Sequence, residues 1–110
     1  MAHDEELAHR VRELLGAEHG LTEQRMFGGL AFLLDGNMAV AVSTRGLLVR
    51  VGAEAVQEAL AKPGAEEMKM GQRVMRGWIR VQPHALSSKR QLEPWVRRGA
   101  RFARTLAPKA

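Results

Sequence analysis

The sequence predicts an α+β fold in two layers, an antiparallel β-sheet wound as a meander and flanked by an N-terminal helix and a long C-terminal helix. Three observations carry this. The middle of the chain, residues 29–51, is a run of short apolar segments separated by tight turns. Strands joined that closely pair antiparallel, because parallel pairing needs long crossovers. Both ends instead repeat apolar residues at helical period. Finally, 110 residues at 45% hydrophobic content suffice for one domain with its own core, which no disulfide can staple because the chain has no cysteine.

The first helix is predicted over Asp4 to Leu15. Leu7, Val11, Leu14 and Leu15 fall on one stripe. Asp4, Glu5 and Glu6 put negative charge in the first turn, where the helix dipole favours it, and Gly16 or Gly20 ends it. Thr22 to Met26 reads as a short strand.

Asp35-Gly36 then joins two apolar runs. A type I′ turn needs positive φ at both central residues, and Asp-Gly supplies them. With these two residues as the loop, Leu34 pairs with Asn37, Leu33 with Met38, Phe32 with Ala39, Ala31 with Val40 and Leu30 with Ala41. A three-residue loop including Asn37 would shift this register. In the two-residue case Leu30, Phe32, Leu34, Ala39 and Ala41 share one face, and Ala31, Leu33, Met38, Val40 and Val42 the other. Both faces are apolar, so both need cover. Gly28-Gly29 lacks the G-x-G-x-x-G pattern of a phosphate loop and is read as a bulge or tight start to the hairpin.

Thr44-Arg45-Gly46 is a second turn, and Leu47 to Val51 a further strand. Ala53 to Ala61 is a short helix stopped by Lys62-Pro63-Gly64. Glu67 to Met70 is an edge strand before a Gly71-Gln72 turn. Gly77 to Val81 is a clearer strand, with Trp78, Arg80 and Gln82 on one face and Ile79 and Val81 on the other. The last helix is predicted over Gln91 to Leu106, with Leu92, Trp95, Val96, Gly99, Phe102, Ala103 and Leu106 as its apolar stripe. It starts either from a capping box of Ser88 with Gln91 or at Glu93, and Pro94 fits the first turn. Residues 107–110 read as a frayed tail.

Charge divides the chain. Residues 1–60 hold five Lys/Arg and nine Asp/Glu, net −4, whereas residues 61–110 hold twelve and three, net +9. A basic half suits an acidic partner or nucleic acid, and a plain solvated surface is the competing reading. Arg97, Arg101 and Arg104, with Arg98 beside them, form a basic ridge suited to phosphates or an acidic protein. The five aromatics, Phe27, Phe32, Trp78, Trp95 and Phe102, fall mostly at apolar positions and are read as core rather than as base-stacking platforms.

Residues with chemistry are sparse. The histidines at 3, 9, 19 and 84 lack metal-motif spacing. Met68 and Met70 bracket Lys69; two thioethers at i, i+2 could hold Cu(I), but packing together on one strand face is the favoured reading. Ser43, Ser87 and Ser88 have no nucleophile-elbow context. Glu66 and Glu67 point to opposite sides of a strand. The expectation is a non-catalytic protein with no cofactor and no metal. The acidic start is unlike a signal peptide and no apolar run is long enough to span a membrane, so a cytoplasmic protein without membrane association is expected. An apolar sheet face left bare by the helices is a candidate surface for a protein partner or a second copy, unless the long last helix wraps over it.

Several segments in order carry a resemblance: Arg25-Met26-Phe27-Gly28-Gly29-Leu30-Ala31-Phe32, Asp35-Gly36-Asn37-Met38, Leu48-Val49-Arg50-Val51, Met75-Arg76-Gly77-Trp78 and Leu92-Glu93-Pro94-Trp95-Val96. Over about Asp4 to Leu106 the chain resembles the N-terminal domain family of TfoX/Sxy, the bacterial competence regulators. The resemblance implies an antiparallel sheet flanked by helices, with Arg25, Met26, Phe27, Gly28, Gly29, Asp35, Gly36, Trp78 and Trp95 as structural motif residues. Longer TfoX proteins promote expression of DNA-uptake genes, act with the cyclic-AMP receptor protein, and carry a further C-terminal domain that this sequence lacks. The resemblance carries over no catalytic residue. It implies a stand-alone regulatory or adaptor module that binds an unknown protein, or itself as a homodimer, in competence-type transcriptional regulation. Direct nucleic-acid binding through the basic half is the alternative, and a small-ligand binder or enzyme the third reading.

Overall fold

In the computed structural model, which describes residues 4–26 and 28–109, the Asp35-Gly36 turn closes the central hairpin. Asp35 has φ 50° and Gly36 φ 84°, the positive pair that a two-residue type I′ loop needs. Around this hairpin the elements run α1 (Glu5–Leu15), β1 (Leu21–Met26), β2 (Gly29–Leu34), β3 (Asn37–Ser43), β4 (Gly46–Arg50), α2 (Val56–Leu60), β5 (Ala65–Met70), β6 (Arg73–Val81) and α3 (Lys89–Arg104). Single 3-10 turns precede α2 at Ala53–Ala55 and α3 at Pro83–Leu86.

The six strands form one antiparallel sheet in the order β1-β2-β3-β4-β6-β5. The expected meander therefore holds only through β4. Beyond it, β4 and β5 run in the same direction, joined by a crossover through α2, and β6 lies between them. A helical crossover returns the chain at the end where it started, so the next strand cannot continue a tight meander.

The hairpin register needs correction. Leu34 pairs with Asn37 and Leu33 with Met38, as the two-residue loop requires, but then Phe32 pairs with Val40, Ala31 with Ala41 and Leu30 with Val42. Ala39 is the extra residue of a β-bulge. A bulge reverses the alternation beyond it. Val40 and Val42 thereby turn into the main core beside Leu30, Phe32 and Leu34, while Ala41 moves to the opposite face.

All three helices lie on one face. Leu7, Val11 and Leu15 of α1, Ala59 of α2, and Leu92, Val96 and Ala103 of α3 pack with Phe32, Val49, Ile79 and Val81. Asp4 caps α1, its carboxylate accepting from the Glu6 and Leu7 amides. Ser88 caps α3 in a full capping box with Gln91, so the helix starts at Lys89 rather than at Glu93. Pro94 consequently sits past the first turn, inside the helix, where its ring removes the bond to the Arg90 carbonyl. Arg90 is exposed, so water can satisfy that carbonyl. Gly99 allows α3 to settle directly on the bulge. A Cβ there would lie 2.5 Å from the Ala39 carbonyl oxygen.

The tail is not frayed over residues 107–109. The buried Asn37 Nδ2 donates to the Ala107 carbonyl at 2.9 Å, and the Lys109 amide donates to the Asp35 carbonyl at 2.8 Å. Burying an amide side chain without a partner is costly, and the returning tail supplies the partner. Ala110 lies outside the described residues.

Candidate functional site

The bulge in β3 and the one-sided helices leave the second face of the sheet to the strands alone. Ala31, Ala41, Leu48 and Met68 are buried there, with Met26, Leu33, Met38, Met75 and Trp78 partly buried around them. Among the described residues no helix contributes to this cluster. The small residues at the centre are shielded by thioethers and an indole, flexible or flat groups that adapt to what they touch. A hollow of about 50 Å³ opens between Met38, Ala41, Leu48, Met68, Met75 and Trp78. Met70 does not join: the β5 register shifts between Glu67 and Lys69, leaving Met70 43% exposed and Met68 buried. The two methionines expected to pack together on one strand face are thus separated.

The rim of this face is polar. The Arg80 guanidinium lies 2.7 Å from Glu66, and Gln82 Nε2 donates to the other Glu66 oxygen at 2.9 Å. These bonds, Arg80 first, hold the Glu66 carboxyl below its ordinary pKa. The exposed His84 ring meets Gln82 Oε1 at 3.0 Å. Arg50 lies over the Trp78 ring at 6.0 Å and the Phe102 ring at 5.6 Å.

The basic ridge of α3 has a different fate. Arg97 meets Glu93 at 3.2 Å and Glu18 at 3.8 Å. Arg98 is forked onto Glu58 at 3.1 and 3.2 Å and lies over the Trp95 ring at 5.5 Å. Arg104 binds Asp35, Glu18 and the His19 carbonyl. Arg101 is exposed and has no carboxylate partner among the described residues. Glu18, Asp35 and Glu58 all come from the acidic first half, so part of the charge asymmetry is neutralised inside the molecule.

No three His, Asp or Glu side chains gather as a metal site among the described residues, and no helix there is long and apolar enough to cross a membrane. His9 is exposed beside Glu13, 3.6 Å away, and His19 is exposed.

A family model of the TfoX N-terminal domain matches residues 13–103, from the last turn of α1 to the last turn of α3. The chain belongs to the TfoX N-terminal domain family. Comparison with curated proteins and with solved structures gives no match.

In this TfoX N-terminal domain the motif residues fall at different places. Gly28 takes φ 71° at the turn between β1 and β2, and Gly29 presses against the Val42 carbonyl, where a Cβ would collide. Asp35 and Gly36 form the hairpin loop. Met26 and Trp78 belong to the open-face cluster, Trp95 to the main core, and Arg25 is exposed on β1. Phe27 lies outside the described residues. Sequence periodicity missed Met75 and the outward turn of Ala41, because both follow from register shifts. The scatter of methionines at 26, 38, 68 and 75 was the available signal for this face.

Proposed function

We propose that this TfoX N-terminal domain is a non-catalytic regulatory or adaptor module that docks a protein partner on its open sheet face. The observation that supports this is a contiguous, methionine-rich apolar cluster to which, among the described residues, no helix contributes. Methionine-rich surfaces recur where one protein packs against another. The hollow among Met38, Leu48 and Trp78 suits a single inserted apolar side chain. Arg50, which has no carboxylate partner among the described residues, suits an acidic group beside it. The partner is therefore a protein presenting an apolar ridge flanked by a carboxylate. Membership of the TfoX family favours a role in competence-type transcriptional regulation. Direct nucleic-acid binding along α3 is less favoured, since three of the four ridge arginines are engaged by internal carboxylates.

The test is affinity capture with the wild-type chain and Leu33→Glu, followed by titration of the captured protein. The expected result is binding that is lost in the variant and nearly insensitive to salt. Equal binding by the variant overturns the proposal. Sedimentation of the chain alone decides whether a second copy takes the same face.

A further inference from the structure

We infer a second site on the helical side of the molecule, a cleft that binds a small phosphate-bearing ligand of nucleotide size. It lies between α3 and the loop after α2, on the opposite layer from the open sheet face, and does not depend on the docking role of that face.

The cleft has a volume of about 750 Å³, within the range of roughly 300–1,000 Å³ typical of small-molecule sites. Lys62, Arg90, Arg97, Arg98 and Arg101 line it, against the single lining carboxylate of Glu93. Internal pairs account for Arg97 and Arg98, and Lys62 stands 3.9 Å from Glu58. Arg90 and Arg101 are exposed and have no carboxylate partner among the described residues. They sit three turns apart on one stripe of α3, a separation of about 16 Å along the axis. Two unpaired arginines at that spacing are matched to an extended polyphosphate-bearing molecule rather than to one inorganic phosphate.

Pro63, Ala85, Pro94 and Trp95 supply the apolar part of the lining. Arg98 is already oriented, its plane held by the two hydrogen bonds it donates to Glu58 and by the Trp95 ring beside it. Such a guanidinium loses little freedom when a flat group or phosphate arrives. A lining that mixes cationic and apolar side chains suits a ligand with both a phosphate chain and a flat ring. A long nucleic-acid track fits less well, because Arg104, the next cation along α3, is turned away to Asp35 and Glu18.

The test is calorimetric titration of the whole chain with ATP, with tripolyphosphate and with a 20-base-pair DNA duplex at one fixed salt concentration. The comparison variant is Arg90→Ala/Arg101→Ala, which removes two side chains without internal ion pairs and should keep the wild-type melting temperature. One-to-one, saturable ATP binding that weakens at least tenfold in this variant, and is unchanged in Leu33→Glu, is the expected result. Tripolyphosphate binding more weakly than ATP supports a role for the ring against the apolar lining, whereas binding as tightly as ATP overturns that role. The inference is overturned if neither probe saturates, if the variant binds ATP as the wild type does, or if the duplex binds more tightly than ATP through the same two arginines.

Discussion

Arg104 Nη1 lies 2.9 Å from Asp35 Oδ2, tying the end of α3 to the loop of the central hairpin. The same guanidinium donates to Glu18 at 3.0 Å and to the His19 carbonyl at 2.6 Å. One arginine thus joins the hairpin, the α1–β1 connection and the last helix. A sequence reading assigns this residue to an external anion, whereas the fold uses it internally.

Arg104→Ala should destabilise the protein by about 1 kcal/mol, since a third-exposed pair is screened and only the shared network lifts it above a single surface contact. Thermal melting should fall by about 4–8 °C. A double-mutant cycle with Asp35→Asn, which keeps a residue that tolerates the left-handed turn, should show coupling that shrinks in high salt. Coupling near zero at low salt would mean the pair contributes nothing.

Gly99→Ala sets two effects against each other. Helix propensity favours alanine by about 1 kcal/mol. The added Cβ, however, would lie 2.5 Å from the Ala39 carbonyl oxygen and 2.7 Å from Val40 Cγ1. The closest of these is backbone, so α3 must lift, at a cost of about 1–3 kcal/mol. Urea unfolding should show a net loss of stability.

Asn37→Asp keeps the side-chain shape but aims a carboxylate at the Ala107 carbonyl. A loss of about 1–3 kcal/mol is expected, together with faster hydrogen exchange at the Lys109 amide, which now donates to Asp35. Unchanged exchange would show that Asn37 does not hold the tail.

Acid should weaken the protein through Glu66 and Glu23. The Arg80 and Gln82 hydrogen bonds hold Glu66, and the Arg12 hydrogen bond holds Glu23, below the ordinary carboxyl pKa of 4.5. Groups with a lowered folded pKa stabilise fully above the unfolded value and lose that contribution as pH falls through the folded one. Both are about a third exposed, so the combined effect is modest. Melting scans of Glu66→Gln should show a shallower decline below pH 4.5 than the wild type.

Leu33→Glu and Phe32→Ala should differ sharply although the residues are neighbours. Leu33 packs only on the open-face cluster, and its replacement should cost about 1 kcal/mol. Phe32 is fully buried in the main core, and its truncation should cost about 3–5 kcal/mol. Denaturant midpoints would check this, and similar losses would mean the open face is part of the folding core.

Local chemistry made much of this molecule readable from its residues alone. The Asp35-Gly36 loop, the α1 stripe, the Ser88–Gln91 capping box and the alternation of Trp78, Ile79, Arg80 and Val81 are short-range facts, set by φ preferences and periodicity within a few residues. The family motif from Arg25 to Met38 was legible for the same reason. Tertiary structure alone decided the bulge at Ala39, the place of β6 between β4 and β5, the docking of residues 107–109 on the hairpin, and which arginines were left unpaired. Three of these involve a contact far away in the chain: Gly99 against the bulge, Asn37 with the tail, and Glu18 and Asp35 with Arg104. Periodicity cannot see such partners, because register shifts and ion pairs are chosen by the packing of whole layers.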